Sequence, residues 1–244
     1  NYYNNSQNLI ELKKKSFKEC NHFICVSENT KKDLIYYYGI EESKISVIYH
    51  GSDHLNNVND NKISKLNFTK PYILYVGNRS KYKNFELLIN SFSKSKKLSD
   101  NFDVVCFGGG KFNLEEKKKI SQFNIGKNFI DVNESDERLK IYYKNAEALI
   151  FPSIYEGFGL PLVEAMNLGC PVFCSNSSSM PEVCGEAAVY FESNNIESFI
   201  DQLENKLFDE TKLEQLKLQG YKRASKFIWK NSAIKTLEFY NKTK

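Results

Sequence analysis

Two glutamates, Glu156 and Glu164, are separated by seven residues in the run Tyr-Glu-Gly-Phe-Gly-Leu-Pro-Leu-Val-Glu-Ala-Met over 155–166. Far upstream, Arg79 and Lys83 follow a short apolar stretch and Gly77. A carboxylate accepts hydrogen bonds from a pair of neighbouring hydroxyls. Arginine and lysine neutralise phosphate. A ligand carrying both hydroxyls and phosphate would engage both kinds of side chain. A purely structural reading stands beside this one. Glutamate early in a helix is favoured by the helix dipole alone, and an Arg–Lys pair after a strand can simply line a solvated loop.

The elements that position these residues are legible in the pattern. The stretch 147–153 is a short apolar run closed by Pro152, as a buried parallel strand would be. Gly157 and Gly159 permit a tight turn in which backbone approaches a ligand closely. Pro161 suits the first position of a helix, and Gly169 with Pro171 stops it. Glu156 then falls in a loop at a strand's C-terminal end, and Glu164 about one turn into the following helix. The N-terminus of that helix is a ready anion site.

Strands are expected over 23–26, 45–49, 72–76, 103–107, 128–132, 147–151, 171–174 and 187–191. Helices are expected over 28–38, with Ser27 as N-cap and an end near Gly39, and over 84–97, 114–122, 136–145, 161–168, 195–208 and 211–226, with a last one from near Lys230. Alternating strand and helix periods give an α/β fold with a parallel sheet covered on both faces. The polar, Asn-rich stretch 51–70 reads as a linker.

Composition narrows the function classes. The chain has 244 residues, 41% hydrophobic, with a net charge of +4, too mild a charge to argue for nucleic acid. No apolar run approaches the roughly 20 residues that span a bilayer, and the polar start at Asn1 does not read as a signal peptide. Lysines cluster at 13–15 and 117–119. A solvated helix face explains each cluster, and contact with an anionic membrane surface is the alternative. The six cysteines form no CxxC pair, and Cys25, Cys106 and Cys174 lie in apolar runs. Buried thiols in a reducing compartment follow. Cys170 and Cys174 have poor spacing for zinc, and no metal motif is visible. Gly108-Gly109-Gly110 reads as a turn, because no helix with a Walker lysine follows it. Trp229 reads as packing the last helices, and His50 as a loop residue near the hinge.

The ordered set Tyr75-Val76-Gly77-Asn78-Arg79 with Lys83-Asn84, Phe151-Pro152-Ser153, the two glutamates, Gly169-Cys170-Pro171-Val172, Met180-Pro181-Glu182-Val183 and Phe227-Ile228-Trp229 resembles the retaining GT-B glycosyltransferases of the large family numbered four. The similarity runs from about residue 20 to the C-terminus. It implies a GT-B-type, Rossmann-like donor domain over 71–226 and the tail end of a truncated N-terminal Rossmann-like acceptor domain over 1–50. A hinge over 51–70 and a C-terminal helix over 227–244 that packs back towards the N-terminal domain complete the arrangement. With only about fifty residues before the linker, the chain is expected to be a fragment or a truncated reading frame.

The resemblance also implies roles. Glu164 would take the ribose hydroxyls of a GDP- or UDP-linked sugar donor. Arg79 and Lys83 would face the diphosphate after Gly77. Gly157, Phe158, Gly159 and Leu160 would offer backbone N–H groups to phosphate and hexose, and Glu156 would sit near the reacting centre. Met180-Pro181-Glu182 resembles a family helix near the donor pocket. There is no Asp-x-Asp, so no metal or other cofactor is expected. The expected acceptor is a saccharide or lipid-linked saccharide, and the Tyr82-Lys83-Asn84 loop resembles that of bacterial polysaccharide mannosyltransferases. The expected location is cytoplasmic, with peripheral contact at the inner face of the cell membrane. The alternatives are a sucrose or glycogen synthase relative and a module that binds a nucleotide sugar without turnover.

Overall fold

An exposed helix, α1 (Ser6–Glu19), leads into a small parallel unit in this computed structural model, which describes residues 6–54, 66 and 68–243. Strand β1 (Phe23–Cys25) pairs with β2 (Ile45–Val47), and helix α2 (Glu28–Tyr38) connects them. Ser27 caps α2 by accepting the Thr30 amide at 3.0 Å, and Gly39 ends it at φ 64°. That conformation suits a residue without a Cβ. Phe23, Cys25 and Ile45 form the unit's small core. The connecting stretch expected over 51–70 lies mostly outside the described residues.

The chain then builds a six-stranded parallel sheet. Its strands are β3 (Tyr72–Val76), β4 (Asp103–Phe107), β5 (Phe129–Val132), β6 (Ala148–Phe151), β7 (Val172–Ser175) and β8 (Ala188–Phe191), in spatial order β5-β4-β3-β6-β7-β8. Strand residues alternate between faces. Leu74, Val76, Val105, Phe107, Leu149 and Phe151 enter one core, and Ile73, Tyr75, Val104, Cys106 and Ile150 enter the other. Helices α6 (Asp136–Asn145), α7 (Leu160–Asn167) and α8 (Met180–Cys184) cover the first face. Helices α3 (Phe85–Lys94), α4 (Lys96–Asn101), α5 (Leu114–Gln122) and α9 (Ile196–Lys206) cover the second, while α10 (Glu210–Ala224) divides between the faces, with Leu213 and Leu216 in the second core and Gly220 and Ala224 on the side of α7. Burial on both faces is why the central strands β3 and β6 read as unbroken apolar runs.

Two expectations need correction. The single helix over 84–97 is broken at Ser95, which has extended backbone (φ −107°, ψ 104°) and accepts the Leu98 amide at 3.0 Å. Its hydroxyl offers the chain a new N-cap, which competes with continuing the helix. Trp229 is not a core residue. It opens α11 (Trp229–Lys242), keeps 39% of its surface exposed and leans on the His50 ring at 5.5 Å. Helix α11 contacts the small N-terminal unit, with Ser232 donating to the Tyr49 carbonyl at 2.6 Å. At its start the backbone passes so close to Gly51 that a Cβ there would lie 2.1 Å from the Trp229 nitrogen. The bounds of the other expected elements agree to within three residues, whereas helix α1 is not among the expected elements. Cys25, Cys106 and Cys174 are buried free thiols.

Candidate active site

Neighbouring strands β3 and β6 send the chain in opposite directions, β3 towards β4 and β6 towards β7. In open parallel sheets the crevice at such a switch point, beyond the strands' C-terminal ends, is where ligands bind. The loop after β3 carries Gly77, Arg79 and Lys83, and the loop after β6 carries Glu156 through Leu160. A backbone bond from Ile154 N to Tyr82 O, 2.8 Å, ties the two loops together.

Across this crevice Lys83 Nζ meets Glu156 Oε1 at 2.6 Å, with each side chain 13% exposed. The ammonium also lies 5.2 Å from the centre of the Phe151 ring. Lys83 is held by a short 3-10 turn, Lys81–Lys83, and by Asn84, which adopts φ 54° and donates to the Ser193 carbonyl at 2.8 Å. Asparagine tolerates that left-handed conformation better than most side chains.

Arg79 points elsewhere. Its side chain is 4% exposed and pairs with Glu116 at 3.0 Å. Its remaining donors reach the carbonyls of Gly108, Gly109, Gly110 and Lys111 at 2.9–3.2 Å. The three glycines all have positive φ, so the run is indeed a turn, and Arg79 is the clamp that organises it. The planar guanidinium, with five donors, suits that task.

Helix α7 begins at Leu160 with Gly159 at its N-cap, φ 93°. A Cβ at Gly159 would come 2.8 Å from Leu162 Cδ1, so the turn needs glycine for space as well as for conformation. The first turn of a helix leaves its amides without intrahelical partners, and the loop 156–160 brings that end of α7 to the crevice. The Phe158 side chain is buried among Tyr49, His50 and Phe227, so only its backbone is available to a ligand.

Glu164 is 8% exposed on α7. Its Oε2 accepts the Tyr143 hydroxyl at 3.0 Å, and its Oε1 faces His54 Nε2 at 3.5 Å. Burial pushes its carboxyl above the ordinary value, partly offset by Tyr143 and His54. Tyr143 is wholly buried, whereas His54 is exposed. One partner is therefore fixed and the other displaceable. Burial also lowers the His50 imidazole.

Residues 57–223 match the family described as "Glycosyl transferases group 1", and residues 3–54 match "Glycosyltransferase Family 4". The chain belongs to the group 1 glycosyl transferases. It is 33% identical over 198 residues to an O-antigen chain mannosyltransferase, RfbU, of Salmonella typhimurium, covering 80% of this chain and 53% of the relative. It is 38% identical over 105 residues to O-antigen chain mannosyltransferase B of Escherichia coli, covering 43% of this chain and 28% of the relative. The chain thus spans about half or less of these relatives' length. In fold it resembles the Anabaena protein Alr3699/HepE, solved in complex with UDP and glucose, with a TM-score of 0.80 at 16% identity over 91% of this chain and 64% of that one. A GT-B-type α/β architecture with a parallel sheet is what the family resemblance implied.

Sequence reasoning missed Tyr143 and His54 as partners of Glu164. Tyr143 is one of two adjacent tyrosines on α6, and nothing local says which of them turns to the site. His54 comes from the connecting stretch, whose polar composition gives no sign of its destination. The inward turn of Arg79 has no local signal either, since its acceptors are backbone carbonyls some thirty residues away.

Proposed function

We propose that this chain carries the donor-binding side of a retaining hexosyltransferase. It would move a hexose from a nucleotide-diphosphate sugar to a saccharide or lipid-linked saccharide hydroxyl in bacterial surface polysaccharide synthesis. The observation that carries this reading is the Lys83–Glu156 pair at the sheet's switch point. A cation and a carboxylate that neutralise each other in a crevice can exchange each other for a diphosphate and a hexose hydroxyl. Lys83 and the first-turn amides of α7 would stabilise the charge that grows on the diphosphate as the glycosidic bond breaks. Glu156 would hold the hexose near the reacting carbon, and Glu164, oriented by Tyr143, would take the ribose hydroxyls as His54 moves aside. Arg79 would act by shaping the Gly108–Gly110 turn beside the site rather than by touching phosphate. The names of the two O-antigen relatives support mannose as the hexose, and the UDP-bound neighbour supports a nucleotide donor.

A second reading is favoured by the chain's share of its relatives' length, namely donor binding without turnover by these 244 residues. Calorimetry with GDP and UDP, with and without chelator, tests the shared premise. Binding that survives chelator is expected, and loss of more than about tenfold, or 1.4 kcal/mol, would overturn metal-free binding. Incubation with labelled sugar nucleotides and lipid-linked acceptors separates the two readings. Transfer requires an acceptor held in near-attack geometry across the cleft, so it is expected from a longer form that spans its relatives' length and not from these residues alone.

A further inference from the structure

Glu182 lies outside the crevice, yet it is the hub between the small N-terminal unit and the loop that carries Glu156. From α8 its carboxylate accepts the Glu28 amide at 2.7 Å through Oε1 and the Asn29 amide at 3.1 Å through Oε2. These are the first two amides of α2, where the helix dipole favours an anion and charge strengthens each bond. Burial pushes the Tyr49 phenol up to about 12, and the Glu182 carboxylate adds to that rise. Arg223 holds α8 in place by donating to the carbonyls of Glu182 and, at 2.8 Å, Val183.

From the capped end of α2, side chains reach directly into the Glu156 loop. Thr30 Oγ1 donates to the Gly157 carbonyl at 3.2 Å. Asn29 Nδ2 reaches Ser178 Oγ at 3.3 Å and the Tyr155 hydroxyl at 3.5 Å, and that hydroxyl donates to Asp33. Ser178 in turn brackets Glu156, accepting its amide at 3.1 Å and donating to its carbonyl at 2.6 Å. Ser178 sits at φ 54°, a conformation a serine keeps only where its surroundings hold it.

We propose that Glu182 is a positioning residue for the Glu156 loop. By capping α2 it seats Asn29 and Thr30 against residues 155–157, and so keeps Glu156 opposed to Lys83. The link from this device to sugar transfer rests on the donor-site reading above. The device itself does not.

Hydrogen exchange on the 244-residue chain tests it without any nucleotide. Glu182→Ala is expected to speed exchange about tenfold in residues 28–34 and again in 154–159, leaving β3 unchanged. Glu182→Gln, which keeps one acceptor oxygen, should recover most of that protection. Thr30→Val, which deletes the contact with Gly157 but not the cap, should speed exchange in 154–159 while 28–31 stay protected. Wild-type exchange at 154–159 in both Glu182→Ala and Thr30→Val overturns the proposal. Should Glu182→Ala open β3 as well, Glu182→Gln and Thr30→Val decide on the same readout. Failure of GDP and UDP to bind the wild-type chain would sink the donor-site reading and leave the exchange result standing.

Discussion

Lys83 Nζ lies 2.6 Å from Glu156 Oε1, so a cation after β3 and a carboxylate after β6 neutralise each other across the switch point. Neither is spare charge. Removing one partner of a shielded pair leaves the other uncompensated, and that asymmetry separates the two glutamates experimentally.

Glu156→Ala frees Lys83 for an incoming diphosphate. Nucleoside-diphosphate affinity should hold or rise, while transfer by a longer, active form should fall. Glu164→Ala instead removes a buried acceptor and should cost about 1–3 kcal/mol of nucleotide affinity. Calorimetry on both variants checks this, and equal losses would refute the division of roles.

The pH dependence of Glu164 has a definite sign. Its carboxyl is raised, first by burial, above the ordinary value of 4.5. Its contribution to stability is therefore complete below that ordinary value and is lost as pH rises through the raised one. Wild type compared with Glu164→Gln by urea denaturation should lose relative stability as pH rises across that window. Nucleotide affinity should run the other way, falling as pH drops through the raised value, because ribose hydroxyls need the carboxylate. Glu164→Gln should flatten that part of the binding profile, and an unchanged profile would exclude Glu164 from the ribose site.

Arg79→Met should destabilise the fold more than it alters the crevice. It strands Glu116 and four backbone carbonyls that Arg79 now serves. A loss of about 3 kcal/mol is expected from such an unpaired, largely buried set. Denaturant unfolding measures it. Full stability combined with lost nucleotide binding would return Arg79 to direct phosphate contact.

Gly51→Ala should loosen the seat of α11. The added Cβ would fall 2.1 Å from the Trp229 nitrogen and 2.6 Å from its Cα, with backbone on both sides. A cost of about 1–3 kcal/mol is expected from such overpacking. The Trp229 emission, from the chain's sole tryptophan, should shift as the ring leaves His50. An unchanged spectrum and unfolding midpoint would contradict the contact.

The sequence by itself determined the alternation of apolar strands with capped helices, and with it the parallel sheet. It also placed Lys83, Glu156 and Glu164 on loops and on a helix start at strand ends. Those features are local. A strand buried on both faces must be apolar throughout, and Ser27, Gly39, Pro161 and Gly169 act within a few residues of where they stand. Long-range partners decided the rest. That Arg79 turns inward depends on carbonyls presented by a glycine turn after a neighbouring strand. That Tyr143 rather than Tyr142 meets Glu164 depends on how α6 is rotated against α7. That Glu182 caps α2 depends on two segments some 150 residues apart reaching one place. Hydrogen bonds of that reach leave no periodicity in a chain, because either partner alone reads as an ordinary polar residue.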